Sequence, residues 1–263
     1  MNQPAQDAFR VVPCSSNTAG PAATREPARR WKRFLPVFLF LISTGAALAQ
    51  GIFVVPNGLA NVEGNSSSAT LLGTSFIRVV QVFSAAEFGL SPGSSGLVAS
   101  VAFRLDGATA QSFSGFWSGA GIFLSTTPRS PDSLSPVFND NHGADVLNVF
   151  NDTFVIRATN TSAFPRTFEI VIPFTTPFWY DPSRGNLAMD VITFSGGNSL
   201  ILDGQDTFGD GVGRVFGPGG GFNGSVDSFG FATRFGMNVV PEPSTWVLLV
   251  LGGTLALFFR PKR

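Results

Sequence analysis

Catalysis between residues 50 and 239 of this chain would have to run through very few side chains. His142 is the only histidine and Cys14 the only cysteine, and Cys14 lies ahead of that stretch. The body therefore has no thiol nucleophile, no disulfide and no Cys-ligated metal. A Ser-His-Asp relay can form only through His142, and a multi-histidine metal centre is excluded. No lysine occurs between 50 and 239, which removes lysine-based chemistry. A hydrolase built on two carboxylates would draw on Glu63, Glu87 and Glu169, the only Glu residues of that stretch. With the usual toolkit nearly empty, the sequence predicts no catalytic residues.

Binding chemistry has more material. Asp203, Asp206 and Asp210 bring three carboxylates close in sequence, and Asn139–Asp145 is a second oxygen-rich segment. Calcium takes six to eight oxygen ligands, often from such loops. Neither segment has the spacing of a 12-residue EF-hand loop, and no bidentate Glu follows. Asp-Gly and Asn-Asp dipeptides are also ordinary turn formers, and that is the preferred reading, with no cofactor expected and calcium as the weaker alternative. Trp117 and the adjacent pair Trp179 and Tyr180 offer rings for stacking on sugars, with Asp181, Arg184 and Asn186 as polar neighbours. Core or edge-strand aromatics are the plainer account of the same residues.

These groups must be positioned by strands. Phe76–Phe83 is rich in β-branched and aromatic residues, and Leu97–Leu105 ends near the turn dipeptide Asp106-Gly107. Thr167–Phe174 alternates, with Phe168, Ile170, Ile172 and Phe174 on one face. Leu187, Met189 and Val191 alternate with Ala188 and Asp190. Gly209–Gly224 reads as a glycine-rich loop or hairpin. No part of the body sustains a helical period. Short strands separated by Gly, Ser and Asn predict an all-β fold, an antiparallel β-sandwich of jelly-roll type. About 190 residues suffice for one such domain.

Both ends of the chain carry targeting patterns. Arg29–Arg33 is basic, Phe34–Leu48 is apolar and Ala47-Leu48-Ala49 is a small-x-small site, the three parts of a secretory signal peptide behind a long polar leader. Cleavage there leaves Gln50 as the new N-terminus and engages the secretion machinery. At the other end Pro241-Glu242-Pro243 precedes an apolar run, Trp246–Phe259, and a basic end, Arg260–Arg263. The prolines keep the box extended. The run spans roughly 21 Å as a helix, short of a ~30 Å hydrocarbon core, and predicts a marginal single transmembrane helix with its basic end cytoplasmic. The domain plan is 1–49 leader, 50–239 β domain and 240–263 sorting segment.

The tail resembles a PEP-CTERM sorting signal, in which Pro241, Glu242 and Pro243 form the motif met by an exosortase-type membrane enzyme. The body is similar to uncharacterised passengers of that class in three strings, Val82–Phe88, Phe123–Pro128 and Tyr180–Leu187. The resemblance implies export across the cytoplasmic membrane to a membrane-anchored, surface or extracellular location, and it brings no assigned activity.

Charge narrows the partners. Of 17 basic and 17 acidic residues, six basic and two acidic fall in 1–49, and three basic and one acidic in 240–263. The body keeps eight Arg against 14 carboxylates, a net charge of −6. That argues against nucleic acid and against anionic lipid as partners. The expected function is a structural or adhesive protein of an exopolysaccharide layer. A carbohydrate-binding module is the alternative, followed by a glycoside hydrolase.

Overall fold

The computed structural model describes residues 49–73, 75–108, 112–158, 164–194 and 199–240, and across them the chain is all-β with antiparallel pairing throughout. The strands are β1 (Ala49–Val55), β2 (Ser66–Ser68), β3 (Ile77–Phe83), β4 (Ser95–Phe103), β5 (Phe113–Thr127), β6 (Leu147–Ala158) and β7 (Ile170–Tyr180). They continue with β8 (Asn186–Thr193), β9 (Leu202–Asp206), β10 (Val212–Pro218), β11 (Ser225–Asp227), β12 (Phe229–Phe231) and β13 (Thr233–Val240). One sheet has the order β1-β13-β4-β7, a second the order β11-β10-β3-β8-β5-β6, and a small third the order β12-β9-β2.

The two large sheets share one core. Phe83 of β3 meets Phe235 of β13 edge to face, with ring centroids 5.0 Å apart. Phe88, on the 3-10 turn Ala85–Phe88, touches Phe53, Tyr180 and Phe235. The alternation that predicts a strand at Thr167–Phe174 places Ile170, Ile172 and Phe174 in this core. Phe168 is also buried but precedes β7, and it packs in a separate cluster with Leu59, Ala102 and Ala232. Its ring lies beside the guanidinium groups of Arg104 and Arg234, at 5.0 and 5.4 Å.

Several polar groups inside the body are paired across elements. Gln81, buried in β3, donates to the Phe231 carbonyl and accepts from the Phe231 N–H, tying the six-stranded sheet to β12. Arg214 grips Asp227 with two N–H donors at 2.9 and 3.0 Å while its guanidinium covers Phe229. The glycine-rich segment 209–224 contains β10 and the turn leading to β11, a hairpin paired from Arg214↔Asp227 to Phe216↔Ser225. Residues 1–48 of the leader and the tail run 246–259 lie outside the described residues. Among the described residues no helix is long and apolar enough to cross a membrane.

Candidate functional site

Three carboxylates line the larger described cavity, about 580 Å³. Glu63 comes from the segment after the turn Asn57–Leu59, Glu87 from the turn after β3, and Asp210 from the connection between β9 and β10. The Ser84 hydroxyl caps the Glu87 turn by accepting from the Ala86 N–H. Glu87 accepts from the Asn57 N–H at 2.7 Å, which holds the two turns together. Asp210 accepts from the Val212 N–H through one oxygen, while its other oxygen is buried without a protein partner. Burial pushes the Asp210 carboxyl up to about 6, and the nearby Asp132 and Glu87 charges add to the rise. Such a group holds a proton to higher pH than an ordinary carboxyl, as a general acid must. The lining has no aromatic ring and no cation to hold a sugar. Glu169, the third candidate carboxylate, lies elsewhere and accepts from the Thr167 hydroxyl.

Beneath this cavity Arg104 and Asp203 form an ion pair, 1% and 0% exposed. Asp203 also accepts from the Gly64 N–H. Glycine is required at 64, because a Cβ there would collide with the Gly204 carbonyl. Burial raises the Asp203 carboxyl and the Arg104 charge opposes that rise. Asp203 stands with Glu63 and Asp106, one oxygen of each within 4.8 Å of the others. Asp203, Asp206 and Asp210 therefore do not act as the one group that their closeness in sequence suggests. Three residues along β9 reverse the face, so Asp206 is exposed and accepts from the Ser228 hydroxyl, and Asp210 lies past the strand. The Glu63–Asp106–Asp203 set has the donor type for a hard cation, though Arg104 and Gly64 already engage Asp203. The oxygens of Asn139–Asp145 build turns: Asn141 accepts from the Ser135 N–H and donates to carbonyls, and Asp145 accepts from the Thr126 N–H.

The lone histidine does stand between a serine and an aspartate. The Ser125 hydroxyl is 2.9 Å from His142 Nδ1, and His142 Nε2 is 3.2 Å from Asp190 Oδ2. Ser125 and Asp190 project outward from β5 and β8, and His142 comes from the loop that crosses this sheet face. Arg78 of β3 clamps Asp190 through Nε at 3.1 Å and Nη2 at 2.7 Å. Ser125 is fully buried, so no substrate carbonyl can reach its oxygen. The relay reads as a latch that fastens the loop to the sheet. Arg78, His142 and Asp190 border a second cavity of about 340 Å³ over Phe123, Val146 and Ile192. Arg78 and Asp190 carry a signal visible in sequence, each being the only charged residue of its strand.

Of the aromatic pair, only Trp179 is available, at 45% exposure. Tyr180 is buried, donates to the Gly185 carbonyl at 3.0 Å and packs on Phe88, so it cannot stack on a sugar. Adjacent residues of a strand point to opposite faces. Burial pushes the Tyr180 hydroxyl well above its ordinary range. Trp117 is also fully buried, beside Phe113 and Phe154. Trp179 stands on a rung of the four-stranded sheet with Leu97, Asn238 and Gln50. Pro241, Glu242 and Pro243 lie outside the described residues.

No protein-family model, no curated protein and no solved structure matches this chain.

Proposed function

We infer that this chain is an exported bacterial surface or extracellular-matrix protein, with a jelly-roll β-sandwich as its structural body. The strand orders support the fold. With β2 and β9–β12 set aside, the remaining strands numbered along the chain fall as 1-8-3-6 in one sheet and 2-7-4-5 in the other. That order fits the double Greek key of a jelly roll and supports this reading. The export reading rests on the terminal patterns of the sequence, and one structural observation supports it: Ala49 pairs with Val239 and Gln50 with Asn238, so the residues beside the expected cleavage site and those shortly before Pro241 are neighbours on one sheet. Neighbouring positions of this kind suit cleavage before Gln50 and capture of Pro241-Glu242-Pro243 by an exosortase-type enzyme, with residues 246–259 as a membrane anchor before processing. The function is structural or adhesive, within an exopolysaccharide layer, without catalysis.

Mass spectrometry of the protein from cell and matrix fractions tests this. The expected mature form begins at Gln50 and lacks 246–263. Matrix protein that retains both terminal segments would overturn the processing scheme.

Carbohydrate binding is the second reading, favoured by exposed aromatic and amide side chains on open sheet faces. A glycoside hydrolase fits less well. Asp210 has the protonation behaviour of an acid, but its cavity lacks a stacking surface.

A further inference from the structure

The outer face of the six-stranded sheet carries a row of groups suited to a sugar chain. Register fixes the row. Arg78, Ile192, Gly121 and Asn151 lie on one rung across β3, β8, β5 and β6. Val80, Asp190, Phe123 and Asn148 lie on the next. On the opposite side of the first rung, two residues before Arg78 and two after Ile192, Phe76 and Phe194 stack with centroids 4.6 Å apart and planes 19° from parallel. Both rings are exposed, at 41% and 54%. Glycines flank them: a Cβ at Gly219 would collide with the Phe76 ring, and one at Gly119 would press on Phe194 at 3.1 Å. The rings thus stand in a trough that side chains would fill. Asn148 and Asn151 are exposed beside it.

The polar part of this row is held before any ligand arrives. Arg78 donates to Asp190 and to the Asn139 side-chain carbonyl at 2.9 Å, and its guanidinium lies 4.9 Å from the Phe138 ring centre. His142 Nε2 meets the same Asp190 oxygen, Oδ2, that Arg78 Nη2 holds. A preset polar floor spares the ordering cost that weakens binding. The Arg78 and Asp190 charges cancel, so the row has no net charge to attract an ionic ligand. A sugar ring has an apolar face and a rim of hydroxyls that both donate and accept. Phenyl rings meet the first, and amides, which also do both, meet the second.

We propose that this face, from the Phe76–Phe194 stack to the 340 Å³ cavity at Asp190, binds an uncharged oligosaccharide segment of the matrix. It rests on the matrix reading above and replaces the Trp179–Tyr180 pair as the sugar site.

The test uses the full chain in a sugar-free detergent, titrated calorimetrically with two probes. They are the neutral and the uronic-acid-containing fractions of the polysaccharide shed by the producing cells. The neutral fraction should bind and should still bind at about 1 M salt, where charge attraction is screened beyond ~3 Å. A Phe194→Ala/Asn151→Ala double variant, altered only at exposed positions, should bind at least tenfold more weakly. Trp179→Ala should bind as the parent does. Loss in Trp179→Ala with normal binding by the double variant overturns this face and leaves a polysaccharide partner standing. Failure of the neutral fraction to bind, or binding only of the acidic one, overturns the proposal. Recovery of the protein with the matrix in that case keeps the structural role, and its retention inside cells would remove the parent reading itself.

Discussion

Arg104→Met is the sharpest test of how the body holds together. Arg104 donates through Nε to Asp203 at 2.7 Å and through Nη2 to the Val62 carbonyl, and it lies 5.0 Å from the Phe168 ring centre. Both members of the pair are buried. Met keeps much of the apolar stem, so the change mainly removes the charge and the donors. Stripping one partner from a buried pair costs about 3–5 kcal/mol, because the remaining charge is left uncompensated. Domains of this kind have about 5–15 kcal/mol in total, so about a fifth or more of the stability should disappear. Urea unfolding followed by fluorescence should show a lower midpoint at unchanged slope.

The pH dependence gives an independent sign. Burial already raises the Asp203 carboxyl and Arg104 opposes the rise, so Arg104→Met should raise it further. A carboxyl raised in the folded state favours folding at low pH, and that contribution fades as pH climbs through the folded value. The deficit of Arg104→Met should therefore shrink on acidification. Arg104→Met/Asp203→Asn keeps an acceptor for the Gly64 N–H without the stranded charge. It should be more stable than the two single losses added together. A loss below about 1 kcal/mol in Arg104→Met, or strict additivity in the double variant, would refute the account of a desolvated, mutually dependent pair.

Asp210→Asn should raise stability at neutral pH and flatten its change between pH 4 and 6. The raised carboxyl, near 6, favours the fold below about 4 and loses that contribution as pH passes 6; melting curves of both forms across this window check the sign. Phe235→Ala should cost about 3–5 kcal/mol in urea unfolding, since the ring joins the two large sheets through Phe83 and Phe88. A fluorophosphonate probe should leave Ser125 unlabelled in the folded chain, because the hydroxyl is fully buried; rapid labelling would reopen catalysis through His142.

Where side chains alternate cleanly, the strand could be read from sequence, as at Ile170–Phe174 and Leu187–Val191. β7 beyond Phe174 is harder to see in sequence, because Thr175, Thr176 and Pro177 look like the end of a strand. β7 is an edge strand, and an edge tolerates proline because one side of its backbone needs no donor. Continuing the strand to Tyr180 would have shown that Trp179 and Tyr180 face opposite ways. Closeness in sequence likewise suggests one group for Asp203 and Asp206, although the two residues do not share a face.

Strand geometry reverses that rule. Neighbours along a strand are separated by the sheet, while residues distant in sequence become neighbours when their strands pair. Arg78 and Asp190 are 112 positions apart and share a clamp because β3 runs beside β8. His142 reaches the same carboxylate from a loop 48 positions away. Nothing in local spacing encodes such a meeting, yet each strand leaves one mark, a charged residue among apolar ones. A buried charge without a partner would cost several kcal/mol, so Arg78 in β3 and Asp190 in β8 each require an opposite charge on a neighbouring strand. Pairing those charges places β3 beside β8, and the clamp is diagonal: Arg78 sits opposite Ile192 and reaches back to Asp190, opposite Val80. That register lines up Phe123, Asn148 and Asn151 beside them.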